Sequence, residues 1–260
     1  MSAPLEGRHA LVTGAGGGIG AAIAHRLAAD GARVTLAGRR RAPLEAVRDA
    51  LDAEACFIAD GFDVTDAEAI AKGHAAARAA FGAVDILVNN AGEAPSAPFN
   101  KTDFSLWSKV IATDLTSVFL VTKKMLGDIS ASPSGRIVNV ASTAGLTGYA
   151  YVSAYCAAKH GVIGLTRALA LELARSGVTV NAICPGFTDT PLVQGAIDTI
   201  VAKTGRSREE AQASLVRGNP QGRLVLPREV ADAVAWLASP GAAAVTGQAI
   251  AIAGGEVMAG

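Results

Sequence analysis

The chain has 260 residues, of which half are apolar and 5% aromatic, and its 23 basic residues balance its 23 acidic ones. Balanced charge provides no overall field to attract nucleic acid or an anionic membrane, and no basic, aromatic-rich stripe indicates a nucleic-acid binder. The length fits one large α/β domain better than two ordinary domains.

Strand-like and helical runs alternate along the chain. The predicted strands are 9–14, 33–38, 56–60, 84–92, 135–142, 178–186 and 247–254. The predicted helices are 19–31, 43–53, 66–82, 103–129, 152–173 and 228–239. Repeated strand–helix–strand units with short joins predict a doubly wound parallel sheet with helices on both faces, whose ligands bind beyond the carboxyl ends of the strands.

The segment 188–225 breaks this alternation and carries little strand signal. Long insertions in compact domains are usually functional or disordered. We expect a helical flap here that acts as a substrate lid on the single domain.

Cysteine usage and the N-terminus bear on the compartment. Cys56, Cys156 and Cys184 are odd in number and widely spaced, which matches neither a disulfide framework nor a metal site and is typical of the reducing cytoplasm. The N-terminus lacks the pattern of a signal peptide, and no apolar run is expected to approach the roughly 20 residues that span a bilayer. We therefore expect a cytoplasmic protein without a membrane or nucleic-acid partner, in which Trp107 and Trp236 serve as packing residues.

A glycine-rich turn joins the first strand to the first helix, in the stretch LVTGAGGGIG. Gly14, Gly18 and Gly20 allow a tight turn and a close approach of the backbone to a pyrophosphate, whose charge faces the helix N-terminus. The alternative is a tight turn that binds no ligand. The location of the glycine-rich turn, between the first strand and the first helix, favours a dinucleotide site.

The end of the second strand bears on which dinucleotide binds. An acidic residue there accepts a hydrogen bond from the ribose of NAD, whereas an arginine suits the 2′-phosphate of NADP. The chain has Gly38 at that point, followed by Arg39, Arg40 and Arg41. Three guanidinium groups without a carboxylate favour NADP(H), with NAD(H) still possible. The alternative is a solvated helix start.

Tyr155 and Lys159 stand four residues apart on a predicted helix and therefore share one face. A free tyrosine has a pKa near 10, and a neighbouring ammonium favours the phenolate. Ser142, at the end of the preceding strand, is placed to donate a hydrogen bond to a substrate oxygen. The trio predicts proton transfer at an alcohol or carbonyl oxygen while a nicotinamide transfers a hydride. Taken alone, a tyrosine and a lysine at this spacing are common in helices by chance, and it is the glycine-rich turn and Ser142 that favour a functional role.

Five motifs follow one another along the chain: TGAGGGIG (13–20), NNAG (89–92), Ser142, YCAAK (155–159) and PG (185–186). In this order and spacing they resemble the short-chain dehydrogenase/reductase family over essentially the whole chain. The resemblance implies a single-domain Rossmann fold, NAD(P)(H) as cofactor and a homotetramer or homodimer built on the long helices. It also implies that Tyr155 is the catalytic acid/base, that Ser142 orients the substrate oxygen and that Lys159 additionally holds the nicotinamide ribose.

The same resemblance implies which residues bind the cofactor. Gly14, Gly18, Ile19 and Gly20 would lie along the pyrophosphate and Arg39 beside the adenosine phosphate. Asp63 and Val64 would contact the adenine, and Asn89, Ala91 and Gly92 the adenosine ribose. The nicotinamide and its phosphates would be held by Pro185, Gly186, Thr188 and Thr190.

One position departs from the family pattern. The family usually has an asparagine in the helix before the serine strand, where it bends the helix and holds a water of the proton relay. This chain has Asp114 in the stretch ATDLTS. An added negative charge opposes formation of a phenolate, so we expect a working enzyme with a shifted pH optimum.

Similarities at the subfamily level favour a 3-oxoacyl or 3-hydroxyacyl thioester, as in polyketide ketoreductases and hydroxyacyl-CoA dehydrogenases. A free cyclic or aromatic secondary alcohol is the competing substrate class. A non-catalytic NADP-binding sensor is the alternative from another class, and the joint presence of Ser142, Tyr155 and Lys159 argues against it.

Overall fold

A computed structural model describes residues 3–51 and 55–258 of the chain. Its centre is a seven-stranded, all-parallel sheet in the order β3-β2-β1-β4-β5-β6-β7. The strands are β1 His9–Thr13, β2 Arg33–Ala37, β3 Cys56–Ala59, β4 Ile86–Asn89, β5 Arg136–Val140, β6 Thr179–Pro185 and β7 Ala249–Ile252. The predicted doubly wound sheet is confirmed. Each strand is shorter than predicted because the predicted ranges included residues of the adjoining turns.

Nine α-helices flank the sheet in the described part of the chain. They are α1 Gly18–Ala29, α2 Arg41–Arg48, α3 Ala67–Phe81, α4 Phe104–Ile111, α5 Ser117–Ala131, α6 Ser153–Leu173, α7 Pro191–Thr204, α8 Arg208–Val216 and α9 Pro227–Ala238. Helix α2 begins at Arg41, two residues before its predicted start, and its predicted end at 53 lies outside the described residues. The predicted helix 103–129 is α4 and α5, joined by one π-helical turn at Ala112–Thr116.

The two faces of the sheet have separate apolar clusters. Val12 faces a cluster that includes side chains of α1, α2 and α9, whereas Leu11 faces side chains of α3, α5 and α6. Successive residues of a strand point to opposite faces, so one buried strand serves both layers. Helices therefore cover both faces of a single domain.

Two expectations about apolar residues are wrong. By length and composition the continuous helix Phe104–Ala131 qualifies as a membrane span, with a window of mean hydropathy 1.3, although a run of that kind was not expected. Here it packs beside the sheet, with Asp128 on its inward face. Trp107 and Trp236 were expected to be packing residues, but they remain 36% and 47% exposed.

The segment 188–225 contains α7 and α8, so its helical content agrees with expectation. Thr190 caps the start of α7, and Ser207 caps α8 in a capping box with Glu210. Within these two helices only Ile197, Ala211 and Val216 are buried. The two helices therefore lie on the surface with few apolar anchors, whereas Leu224 and Val225 at the end of the segment are buried.

Candidate active site

The carboxyl ends of β1, β4, β5 and β6 meet at one edge of the parallel sheet. The glycine-rich turn follows β1, the NNAG motif follows β4, Ser142 follows β5 and Gly186 follows β6. The chain order reverses between β1 and β4, which is where open α/β sheets bind ligands. The fold therefore gathers all the predicted motifs at the expected position.

The glycine-rich turn is closely packed against the residues after β4. Gly14 has a φ of 64°, and a Cβ there would lie 2.9 Å from the Cα of Ala91. The amide nitrogen of Asn90 donates to the carbonyl of Thr13 at 2.9 Å, and Thr13 Oγ1 accepts from the backbone N–H of Asn90 at 2.9 Å. A side chain at Gly20 would meet the carbonyl oxygen of Gly14 at 2.4 Å. Only glycine fits at these positions.

The start of α1 fits a dinucleotide pyrophosphate. Gly17 is its N-cap and makes no side-chain capping hydrogen bond, and the first turn carries no acidic residue. Within the described residues, a Cβ at Gly17 would have nothing within 4 Å. With no capping side chain and no acidic residue there, the first backbone N–H groups of the helix are left for an anion, as a site at a helix N-terminus requires. Thr190 packs close to this helix start: a Cβ at Gly18 would lie 3.2 Å from the Thr190 methyl group.

The side chains predicted to contact the adenosine, those of Asp63, Val64 and Asn89, have different surroundings. The Asp63 carboxylate accepts hydrogen bonds from the backbone and hydroxyl of Thr65 at 2.9 and 2.7 Å, and these lower the pKa of Asp63. Val64 is buried. The amide nitrogen of Asn89 donates into the protein, to Thr122 and Asn139 at 3.0 and 2.9 Å. The side-chain nitrogen of Asn89 is therefore engaged within the protein.

The three arginines after β2 are not equivalent. Arg41 pairs with Glu45 at 2.8 Å and with Asp60 at 3.4 Å. Arg39 and Arg40 are exposed, and in the described part of the chain neither forms an ion pair within 4.0 Å. Two exposed guanidinium groups after β2 thus have no acidic partner within 4.0 Å among these residues.

Lys159 and Tyr155 face the same space, as their spacing predicts. The Nζ atom of Lys159 lies 5.5 Å from the centre of the Tyr155 ring. Lys159 is only 4% exposed, and its Nζ donates to the carbonyl of Val140 at 3.1 Å. This bond ties the ammonium to the end of β5, next to Ser142. The half-buried phenol and the buried ammonium therefore form one group at the sheet edge.

Asp114 completes this group from the π-helical turn. Its carboxylate is fully buried, lies 3.4 Å from Lys159 Nζ and accepts from the backbone N–H of Glu93 at 3.2 Å. Burial raises the pKa of Asp114, and the charge of Lys159 opposes that rise. A side chain at Gly92 would lie 2.5 Å from the same carboxylate oxygen, so glycine is required there.

Ser142 lies at the start of the segment that leads from β5 to α6. Its Oγ accepts a hydrogen bond from the backbone N–H of Ala144 at 3.1 Å, capping a short 3₁₀ turn. Because that bond uses a lone pair, the hydroxyl hydrogen remains available for donation to a ligand.

The residues after β6 close the other side of the edge. The N–H of Gly186 donates to Ile252 in β7 at 3.1 Å, which anchors the Pro185–Gly186 corner. Thr188 is buried, and its hydroxyl donates to the carbonyl of Gly186 at 3.0 Å. Thr190 reaches back to the glycine-rich turn, as described above. Ile19 is half-buried and packs against the core cluster beneath α1.

Four residues at this edge escaped the sequence prediction. Thr13 and Asn90 hydrogen-bond to each other beside the glycine-rich turn. The second asparagine of the NNAG motif was the sequence feature that could have identified Asn90. Tyr149 donates to Glu256 at 2.7 Å, a contact between residues 107 positions apart. No local pattern marks that pair.

Comparison with known proteins agrees with this geometry. A family model for the short chain dehydrogenases matches residues 8–200. The 3-oxoacyl-[acyl-carrier-protein] reductase of Vibrio cholerae is 41% identical, covering 98% of this chain and 99% of its own. The cis-4-hydroxycyclohexanecarboxylate dehydrogenase of Sinomonas cyclohexanicum is 43% identical, covering 98% of each chain.

A solved structure extends the comparison to three dimensions. A single-residue variant of actinorhodin polyketide ketoreductase, crystallised with NADPH, is 42% identical, covers 98% of this chain and 99% of its own, and superposes with a TM-score of 0.91. The glycine-rich turn, the serine, tyrosine and lysine at one sheet edge and these similarities lead to one conclusion. The chain belongs to the short chain dehydrogenase family and is an NAD(P)-dependent oxidoreductase that acts on CH–OH groups.

Proposed function

We propose that this enzyme interconverts a 3-oxoacyl thioester and the corresponding 3-hydroxyacyl thioester. The observation that carries the reaction type is the position of the Lys159 ammonium, 5.5 Å from the centre of the Tyr155 ring at the switch point of the sheet. The substrate class is supported by relatives that are named as a 3-oxoacyl reductase and a polyketide ketoreductase.

The protein residues would manage the proton in this reaction. A bound nicotinamide supplies the hydride to the carbonyl carbon or accepts it from the alcohol carbon. Tyr155 donates a proton to the substrate oxygen in reduction and accepts it in oxidation. The Ser142 hydroxyl donates a hydrogen bond to the same oxygen, and the Lys159 ammonium favours the phenolate after the proton has left. Catalytic roles are thus proposed for Ser142, Tyr155 and Lys159.

We propose NADP(H) as the preferred cofactor, with NAD(H) as the alternative. Arg39 and Arg40 have no acidic partner within 4.0 Å among the described residues, and the ketoreductase of similar structure was crystallised with NADPH. The residues proposed to hold the cofactor are Gly14, Gly18, Ile19, Gly20, Arg39, Asp63, Val64, Asn89, Ala91, Gly92, Tyr155, Lys159, Pro185, Gly186, Thr188 and Thr190.

A free cyclic secondary alcohol is the second candidate substrate. The specific observation that favours it is the 43% identity to a dehydrogenase named for a hydroxycyclohexanecarboxylate. The two candidates share one reaction and differ in the group next to the reacting carbon.

The proposed activity is tested by following NADPH absorbance with acetoacetyl thioesters and with cyclic ketones. We expect wild-type protein to consume NADPH with a thioester and the Tyr155→Phe variant to lose at least about 100-fold in kcat, because general acid–base groups contribute roughly 10²–10⁴-fold. Retained NADPH binding in the variant is the control for folding. A protein that binds NADPH but turns over no ketone in either form is the sensor, and the proposal then fails.

The cofactor proposal is tested with Arg39→Ala, using Arg41→Ala as the matched control because Arg41 already pairs with Glu45. We expect Arg39→Ala to lower kcat/KM for NADPH by roughly 10- to 100-fold, since a charge-assisted contact to phosphate is lost, and to leave NADH nearly unchanged. A strong preference of the wild-type enzyme for NADH contradicts the proposal.

The segment 188–225 is proposed as the substrate lid. Its few buried side chains support this role, because weakly anchored segments open at low free-energy cost. We also propose a homotetramer or homodimer and a cytoplasmic location. Exposed apolar residues on the long helices support the assembly, and three free cysteines support the reducing compartment.

A further inference from the structure

A second tyrosine lies between Ser142 and Tyr155. The hydroxyl of Tyr149 is 2.9 Å from Thr143 Oγ1 and 2.7 Å from Glu256 Oε1, and its ring stands edge-on to Phe187. Desolvation, reinforced by the hydrogen bond to Glu256, raises the pKa of Tyr149 to about 12. The single phenolic hydrogen is thus donated to the carboxylate while Thr143 donates to the phenol oxygen. Tyr149 positions Glu256 and is not a second acid/base.

Glu256 lies where three segments around the active site meet. Besides Tyr149, its carboxylate approaches Gly186 after β6 and Gly218 at the end of α8. A Cβ at Gly186 would lie 3.0 Å from Glu256 Oε2, and one at Gly218 would lie 3.2 Å from Oε1. The carboxylate therefore touches the segment that leads to Tyr155, the corner proposed to hold the nicotinamide and the base of the lid.

No basic side chain neutralises this carboxylate among the described residues, since none of their ion pairs within 4.0 Å includes Glu256. Its hydrogen-bond donor is the neutral phenol of Tyr149. The half-buried Glu256 thus lies beside the Gly186 corner without a basic partner among these residues.

We propose that Glu256, held by Tyr149, determines substrate specificity by excluding ketones that carry a negative charge next to the reacting carbonyl. The ligand class it admits is a ketone whose neighbouring group is neutral, such as a thioester, ester or amide. The class it rejects is the free 3-oxo acid. This inference rests on the proposed function and narrows its substrate.

The physical reason is like-charge repulsion in a partly dehydrated site. Two unit charges separated by several ångströms repel weakly in water and much more strongly at the reduced effective dielectric of a protein surface cleft. A carboxylate near the reacting carbon would also lose part of its hydration, while the Lys159 ammonium is already engaged by Asp114. We expect discrimination of roughly 10- to 100-fold in kcat/KM from this charge.

The test uses two substrates of nearly equal size, acetoacetamide and acetoacetate, with NADPH at pH 7. Wild-type protein is expected to favour the neutral amide. Glu256→Gln keeps an oxygen acceptor for Tyr149 and removes the charge, so kcat/KM for acetoacetate should rise roughly 10- to 100-fold while that for acetoacetamide stays within about threefold. Glu6→Gln, at an exposed position just before the amino end of β1, is the matched control and should change neither value.

Glu256→Ala is measured in parallel, and NADPH binding and melting temperature verify that each variant folds. Tyr149→Phe retains the carboxylate and should keep the preference for the amide. An unchanged ratio in a folded, neutral variant at position 256 overturns the inference alone, as does a wild-type preference for acetoacetate. A wild-type protein that binds NADPH but reduces neither these ketones nor an acetoacetyl thioester overturns the proposed function and this inference together.

Discussion

Asp114 shows how a single side chain changes the electrostatics of the site. It stands where the family usually has an asparagine, and its carboxylate is buried 3.4 Å from Lys159 Nζ. Burial raises the pKa of Asp114, yet the backbone N–H of Glu93 and the ammonium both stabilise the charged form. Asp114 lies in the π-helical turn Ala112–Thr116, where it is the buried residue.

Replacing Asp114 by asparagine tests its charge. Ionised Asp114 opposes loss of the proton from Tyr155, so its removal should shift the pH–rate profile of alcohol oxidation to lower pH, by roughly 0.5–1 unit. The measurement is kcat against pH for wild type and Asp114→Asn, with exposed Asp232→Asn as control. An unchanged profile in Asp114→Asn would count against this role.

At the scale of elements, the amino ends of the strands hold a buried polar network far from the site. His9 in β1 is fully buried, with its Nδ1 3.0 Å from the carbonyl of Gly82 and its Nε2 2.8 Å from the hydroxyl of Thr35 in β2. Nδ1 must donate to the carbonyl, so Nε2 accepts from the threonine. Burial lowers the pKa of His9, although the carbonyl contact partly opposes this.

His9 therefore makes stability depend on pH. The unfolded chain takes up a proton below about pH 6.5, whereas folded His9 stays neutral to lower pH, so the free energy of unfolding falls as pH drops from 6.5 toward the folded-state pKa. The slope from this group is at most about 1.4 kcal/mol per pH unit. Denaturant unfolding between pH 7.5 and 5 should show a smaller loss in His9→Gln than in wild type, with His160→Gln as the exposed control. Equal slopes in His9→Gln and wild type would refute this assignment.

At the scale of the whole molecule, apolar side chains remain exposed on the outer helices. Phe104 and Phe119 on the α4–α5 helix are 81% and 47% exposed, and Leu171 on α6 is 81% exposed. Soluble single chains rarely expose large contiguous apolar patches, and such patches mark protein interfaces. These helices are the ones on which the proposed oligomer would be built.

The assembly prediction is tested by light scattering after gel filtration. Wild-type protein should elute as a dimer or tetramer. Phe119→Glu or Leu171→Glu should shift the protein to smaller oligomers or monomers, because the introduced glutamate would place an unpaired charge in the interface. Leu192→Glu, which changes an exposed leucine on α7, is the control. A monomeric wild type at micromolar concentration would contradict the prediction.

Patterns confined to a few neighbouring residues were sufficient to predict the strands of the sheet and the pairing of Tyr155 with Lys159. Apolar runs bounded by turns identified all seven strands, and four-residue spacing on a helix placed Lys159 beside the ring of Tyr155. The glycine spacing located the turn because only glycine accepts the positive φ of Gly14 and Gly18. Each of these features depends on local backbone geometry, which short stretches of sequence record.

The remaining features arise from contacts between distant parts of the chain. The sequence did not show that Asn89 donates into the core or that Trp236 stays half-exposed. Nor did it show that Glu256 accepts a hydrogen bond from Tyr149, 107 positions earlier in the chain. Packing of whole helices and strands decided these contacts, because the direction of a side chain depends on which neighbour the fold brings against it, and no spacing along the chain encodes that neighbour.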